Sequence, residues 1–212
     1  MSDAGGAGEV VIRGVEARDL GDLYRICLLT GDAGQDASAL YRDPELVGHC
    51  FAAPYAVLEP GSGYVAQDGD GVGGYILGAR DTLAFEASLE ADWWPDLRPR
   101  YPPPTGDPAG WSLDDQRAWQ IHNPRPPPAR ITGPYASHLH IDLLPRLQGR
   151  GLGKAMIDTW LDRMRQLGSP GAHLGVSRQN HRAIRFYQRY GFEEFRFPTA
   201  REGGGLYFVM KL

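Results

Sequence analysis

Lysine is almost missing from this 212-residue chain; only Lys154 and Lys211 occur, against abundant arginine and proline. Net charge is −4, with neither a basic stripe nor a basic domain, so a general nucleic-acid binder is excluded as an expectation and any polyanion site has to be local. No stretch approaches the ~20 apolar residues of a membrane span, so no membrane partner is expected. Cysteine is scarce. Cys27 and Cys50 stand apart from any CxxC or paired Cys/His cluster, which points to no metal site and to two buried free thiols, a disulfide being the alternative and unusual in a cytosolic protein. Met1 to Gly8 is small, polar and glycine-rich, without the basic start and apolar run of a signal peptide. It is expected to be a disordered tail on a cytoplasmic protein, with residues 9–212 forming one domain.

The rest reads as alternating strands and helices. Val10 to Val15 is a short apolar run and a first strand. Asp19 opens a helix with Leu20, Leu23, Tyr24, Cys27 and Leu28 at helical spacing. Ala37 to Tyr41 and Pro44 to Cys50 read as short helices, with Pro44 suited to a first helical turn. Gly63 to Gln67 and Val72 to Ala79 flank Asp68-Gly69-Asp70-Gly71, a strong hairpin signal. Thr82 to Leu97 reads as one helix. Two proline clusters, Pro99 to Pro108 and Pro124 to Pro128, read as extended loops around a helix at Ser112 to Asn123, where Ser112 and Asp115 have capping spacing. Strands follow at His138 to Leu144, Ala172 to Val176, Phe192 to Phe197 and Leu206 to Leu212, with helices at Gly151 to Leu167 and Asn180 to Tyr190. The order predicts an α/β (α+β) fold: a mixed central sheet of about seven strands flanked by helices, with a helical, proline-rich insert at 81–134 between strands three and four.

One turn carries chemistry. Gln148-Gly149-Arg150-Gly151-Leu152-Gly153 joins a strand to a helix. Glycines there let backbone N–H groups approach an anion, and the helix start adds unpaired donors and a favourable dipole. The turn is a candidate pyrophosphate cradle, with charge from Arg150 and Lys154. It is neither a GxGxxG nor a P-loop ending in G-K-[ST].

The longer pattern, Leu143-x-Pro145-x-x-Gln148-x-x-Gly151-x-Gly153, then Asn180, Ala183, Phe186-Tyr187 and Tyr190-Gly191-Phe192, resembles the acetyl-CoA motifs of the GNAT superfamily of N-acetyltransferases. The resemblance implies that the strands at His138–Leu144 and Ala172–Val176 splay to admit the pantetheine arm. It implies that Leu143 lends backbone groups to that arm, that Gln148, Gly149, Arg150, Gly151, Leu152, Gly153 and Lys154 hold the pyrophosphate, and that Asn180 touches the arm or the phosphates. Tyr187 would protonate the departing thiolate, consistent with direct attack of a neutral amine in a ternary complex. Asn180 also reads as a helix N-cap. His138, His140 and Asp142 share one strand face by period-two alternation and are base candidates, or else structural hydrogen-bonders.

A narrower resemblance runs from about Val10 to Leu212. Tyr24 to Gly31, Ala39 to Glu45, Trp93-Trp94-Pro95 and Ser137 to Pro145 resemble the acetyltransferase-like C-terminal domain of eukaryotic O-GlcNAcase, and more closely its free-standing bacterial relatives. Animal members carry a decayed cofactor motif, whereas Gln148-x-x-Gly151-x-Gly153 is intact here. The resemblance implies acetyl-CoA as cosubstrate and an amine acceptor, small molecule or polypeptide, that it does not identify. Homodimers are common in the superfamily. A non-catalytic acetyl-CoA sensor or scaffold is the alternative class. The insert, together with Thr30 to Tyr55, either walls the acceptor site or covers a sheet edge.

Overall fold

The structure is a computed structural model that describes residues 8–197 and 205–212; the expected tail lies, apart from Gly8, outside the described residues. Seven strands form one sheet: β1 (Val11–Gly14), β2 (Tyr64–Asp68), β3 (Gly71–Ala79), β4 (Ser137–Leu143), β5 (Gly171–Val176), β6 (Glu193–Phe195) and β7 (Leu206–Lys211). Their order is β1-β2-β3-β4-β5-β7-β6. Only the β4–β5 pair is parallel; every other neighbour is antiparallel. The Asp-Gly signal between β2 and β3 forms the expected hairpin.

Two layers of helix cover the sheet. On one side lie α1 (Leu20–Thr30), α2 (Leu46–Phe51), α3 (Ala53–Leu58) and the insert helices α4 (Thr82–Asp92), α5 (Trp94–Leu97) and α6 (Leu113–His122); the insert ends in the short α7 (Ala129–Thr132). Leu23, Ile26, Phe85 and Trp94 meet Tyr75, Leu77 and Ala79 of β3 there. On the other side α8 (Leu152–Gln166) and α9 (His181–Tyr190) bury Met156, Ile157 and Trp160 against Ile76, Leu139, Leu174 and Phe208. Strict alternation along β3 and β4 thus sends His138, His140 and Asp142 to the α1–α3 side, and Leu139 to the α8 side. The insert is closed at its neck: the Thr82 N–H and Oγ1–H both donate to the Ala136 carbonyl, at 2.8 and 2.7 Å.

Three helix expectations need correction. Ala37 to Tyr41 is a turn, because Asp36 captures the Ser38 N–H and Asp114 captures the Arg42 N–H, leaving local side chains rather than a helical ladder to satisfy the backbone. Pro44 stands outside α2, which begins at Leu46 after Asp43 Oδ1 takes the Glu45 N–H. Thr82 to Leu97 is two helices broken at Trp93 (φ −121°, ψ −56°), since Pro95 cannot donate to the ladder and its ring would clash with the carbonyl of Ala91. The capping box of Ser112 and Asp115 forms as expected. The second proline cluster is extended, with the short α7 following it.

Gly78 is the close-approach point between β3, β4 and α8. A Cβ there would stand 2.3 Å from the His138 carbonyl oxygen and 2.6 Å from the Trp160 ring. Neither backbone nor a fully buried indole can yield cheaply. Gly78→Ala is expected to lower stability by about 2–3 kcal/mol, read as a fall in urea midpoint with unchanged slope.

Candidate active site

The site begins where two strands part. β4 and β5 pair only at Ser137↔Ala172 and His138↔His173. Beyond that, β4 stays with β3 as far as Leu143, and β5 stays with β7 as far as Val176. Each strand keeps its outer partner, so a cleft opens between them and leaves main-chain groups of β4 without a strand on that side.

The glycine turn lies at the end of β4. Gly149 and Gly151 take left-handed φ values of +74° and +77°, which a residue with a Cβ adopts only with strain. Gly151 is the N-cap of α8 and supplies no capping side chain. The contrast with α4, α6 and α9, capped by Asp81, Ser112 and Asn180, is direct. The first amides of α8, from Leu152 to Lys154, are thus a donor set without an intrahelical or side-chain cap. Gly153 lets the Phe186 ring of α9 pack within 3.2 Å of where a Cβ would be.

Several expected cofactor residues have partners within the protein. Gln148 Nε2 donates to the Leu143 carbonyl at 2.6 Å, while its Oε1 accepts from Arg182 of α9. This side chain therefore spans the mouth of the cleft. Arg150 donates to the Gly8 carbonyl at 2.8 Å. The Lys154 ammonium pairs with Asp158 one turn along α8, at 2.7 Å, and lies over the Tyr190 ring. Asn180 Oδ1 caps α9 through the Ala183 N–H, and its amide faces Gly34 of the α1–α2 loop.

Proton counting settles the state of His138. The one proton of Thr82 Oγ1 goes to the Ala136 carbonyl, so the 2.9 Å contact with His138 Nδ1 needs the Nδ1–H as donor. His138 Nε2 then accepts from the Tyr55 hydroxyl at 2.8 Å. The ring is buried and neutral, with both nitrogens committed. Burial, followed by the neighbouring His173 and His140, holds its titration well below the ordinary imidazole range. The next face residue differs. His140 is half-buried against the Tyr55 and Phe51 rings, with centroids at 5.4 and 5.8 Å, and has no hydrogen-bond partner among the described residues. Burial and then His173 push it down to about 4.

Asp142 accepts the Tyr75 hydroxyl at 2.7 Å. Burial raises its carboxyl, and the Tyr75 hydrogen bond opposes that. Tyr187 is buried among Phe186, Phe192 and Phe208. Burial, and then the charge of Asp142, raises its hydroxyl above the ordinary phenol value, so it stays protonated near neutrality. Asp142 and Tyr187 therefore feel each other electrostatically. Cys27 and Cys50 are free and buried, and burial pushes the Cys50 thiol up to about 12. Sequence reading missed Tyr55, Thr82, Tyr75, His173 and Arg182. Only Tyr75 left a trace, as the residue opposite Asp142 once the β3–β4 register is known.

The profile of the Acetyltransferase (GNAT) family matches residues 22–192. A crystal structure described as SsHAT superposes with a TM-score of 0.85 at 36% identity, covering 96% of this chain and 98% of that one. Protein O-GlcNAcase of Rattus norvegicus is 25% identical over 181 residues, which are 85% of this chain but 20% of that protein. Mycothiol acetyltransferase of Geodermatophilus obscurus is 38% identical over 117 residues, 51% of this chain and 37% of that protein. The chain thus spans about a fifth of the O-GlcNAcase relative's length. A PaiA N-acetyltransferase from Thermoplasma acidophilum, solved with coenzyme A, shares the fold at a TM-score of 0.57 and 13% identity, over 96% of this chain and 99% of that one.

Two outcomes are expected. His138, His140 and His173 all titrate lower in the fold than free imidazole, with burial the largest cause. Their contribution to stability is present above about pH 6.5 and is lost as pH falls, for His140 through about 4. Asp142, Glu59 and Glu86, raised by burial, act in the opposite sense at the acid end of that window. Urea midpoints across this range should fall, and His140→Phe should flatten the fall. Nitrogen NMR should show His138 protonated at Nδ1; Thr82→Val should redistribute the tautomers and Thr82→Ser should restore them.

Proposed function

The chain belongs to the acetyltransferase (GNAT) family, and from that premise we propose that it binds acetyl-CoA in the β4–β5 cleft and moves the acetyl group directly to an amine. The observation that carries this reading is the parting of β4 and β5 after His138 and His173, beside the side-chain-free start of α8. Acetyl-CoA supplies an activated acyl group and a thiolate leaving group.

The residues divide the remaining work. The amides of Gly149 to Gly153, with no Cβ at Gly149 and Gly151, suit a pyrophosphate, and Arg150, Lys154 and Arg182 add positive charge around the turn. Leu143 offers main-chain groups at the open edge of β4. Asn180, already an N-cap, lies on the far lip and suits a cofactor contact as well. Tyr187 holds a proton for the departing thiolate, kept on it by burial and then by the charge of Asp142. His140 takes the proton of the amine: it alone among the three strand candidates has no hydrogen-bond partner among the described residues, and its burial keeps it neutral. Asp142, opposite in charge to an ammonium, favours entry of the amine, and His138 holds Tyr55 in place rather than acting as base. The insert reaches this site through α6 and α2, which favours a role in walling the acceptor side over that of an edge cover.

Titration calorimetry with acetyl-CoA and CoA tests the first claim. Binding of both, abolished in Gly151→Val, is the expected result; no binding at millimolar ligand sinks it. Tyr187→Phe should lower kcat by about 10²-fold with acetyl-CoA affinity nearly unchanged. Binding without CoA release in any acceptor screen would instead support a sensor or scaffold.

A further inference from the structure

Arg117, on α6 of the insert, is a cation without a counter-charge among the described residues. Its guanidinium carbon lies 5.2 Å from the centre of the Phe51 ring. The Phe51 ring in turn lies 5.8 Å from the His140 imidazole. Two ring contacts therefore connect Arg117 to the proposed base. Nη1 donates to Gln120 Oε1 at 2.7 Å, which fixes the rotation of the guanidinium. Nε is buried and has no hydrogen-bond partner among the described residues.

The neighbouring charges are already committed. Arg98 is forked onto Glu90 at 2.7 Å, and Arg100 pairs with Glu45 at 3.0 Å. On α6 itself, Asp114 accepts the Arg42 and Asp43 amides, and Asp115 closes the cap with Ser112. Among the described residues no carboxylate pairs with Arg117. Its charge spreads over the wall it faces, lowering the titration of both the Tyr41 hydroxyl and the Cys50 thiol against the upward pull of burial. A half-buried, stacked and oriented guanidinium without an anion is unfavourable in isolation. With Nε buried and one Nη1 proton on Gln120, the two Nη2 protons and the second Nη1 proton are the donors left for a carboxylate.

We propose that Arg117 receives a carboxylate of the acceptor, so that the substrates are amines carrying a carboxylate across the width of the Phe51 ring from the reactive nitrogen. This rests on the acetyl-transfer reading above and names its acceptor class. A carboxylate bound at Arg117 would lie along the Phe51 face, leaving the amine end at His140 and Asp142.

The test uses the full chain with saturating acetyl-CoA and matched amines that differ in one carboxylate: lysine and cadaverine, ornithine and putrescine, ε-aminocaproate and pentylamine. CoA release should favour the carboxylated member of a pair by at least about tenfold in kcat/KM. Arg117→Met should erase that preference by raising the KM of carboxylated amines, with the other amines, acetyl-CoA affinity and melting temperature unchanged. Arg117→Lys should keep part of it. Equal use of both members, preference for the member that lacks the carboxylate, or equal damage to both in Arg117→Met overturns the inference. So does tight acetyl-CoA binding with no pair acetylated, which spares the cofactor reading. Failure to bind acetyl-CoA at all is distinguishable, because it sinks the reading beneath.

Discussion

The site depends on a conflict of strand loyalties. β4 and β5 start as parallel neighbours, yet each is held by a longer antiparallel partner, β3 through Leu143 and β7 through Val176. The six-pair ladders on either side outweigh the two-pair ladder between them, and the sheet opens down the middle. The cleft is therefore not an eroded surface. It is a defect in the central sheet, and its floor is made of the same backbone groups that hold the sheet together elsewhere.

Histidine is the keystone of that opening. His138 and His173 form the last pair before the strands part, with ring centroids 5.7 Å apart. His138 links α3 through Tyr55, the neck of the insert through Thr82, and β4 through its own backbone. The direction of proton donation along this chain is fixed at its end, because a carbonyl can only accept. The insert is thus oriented at its root by a polar network, while its far end carries Arg117 to the Phe51 ring.

The local parts of this architecture were readable in advance. Gly151 and Asn180 stand at helix starts and Gln148 in the turn before α8, positions that spacing within a turn or a helix start makes legible in the sequence. So is the alternation that places His138, His140 and Asp142 on one face. What separated these three was invisible, since their fates depend on partners far along the chain: Tyr55 and Thr82 for His138, Tyr75 for Asp142, Phe51 for His140. The same distance dependence explains the helix misread at Ala37 to Tyr41, where a carboxylate from α6 competes for the backbone. Pro95 is visible in the sequence and its consequence at Trp93 is local, but apolar residues that continue on both sides mask the break.

Gln148 has a consequence for how affinity at this site is to be understood. Its amide already satisfies the Leu143 carbonyl, and its oxygen already satisfies Arg182. A ligand that uses either group does not fill a vacancy; it exchanges one set of hydrogen bonds for another. The dissociation constant then measures the difference between two saturated arrangements, as in a competition, and not the strength of either one. Weakening the internal clasp would tighten binding without adding any contact to the ligand.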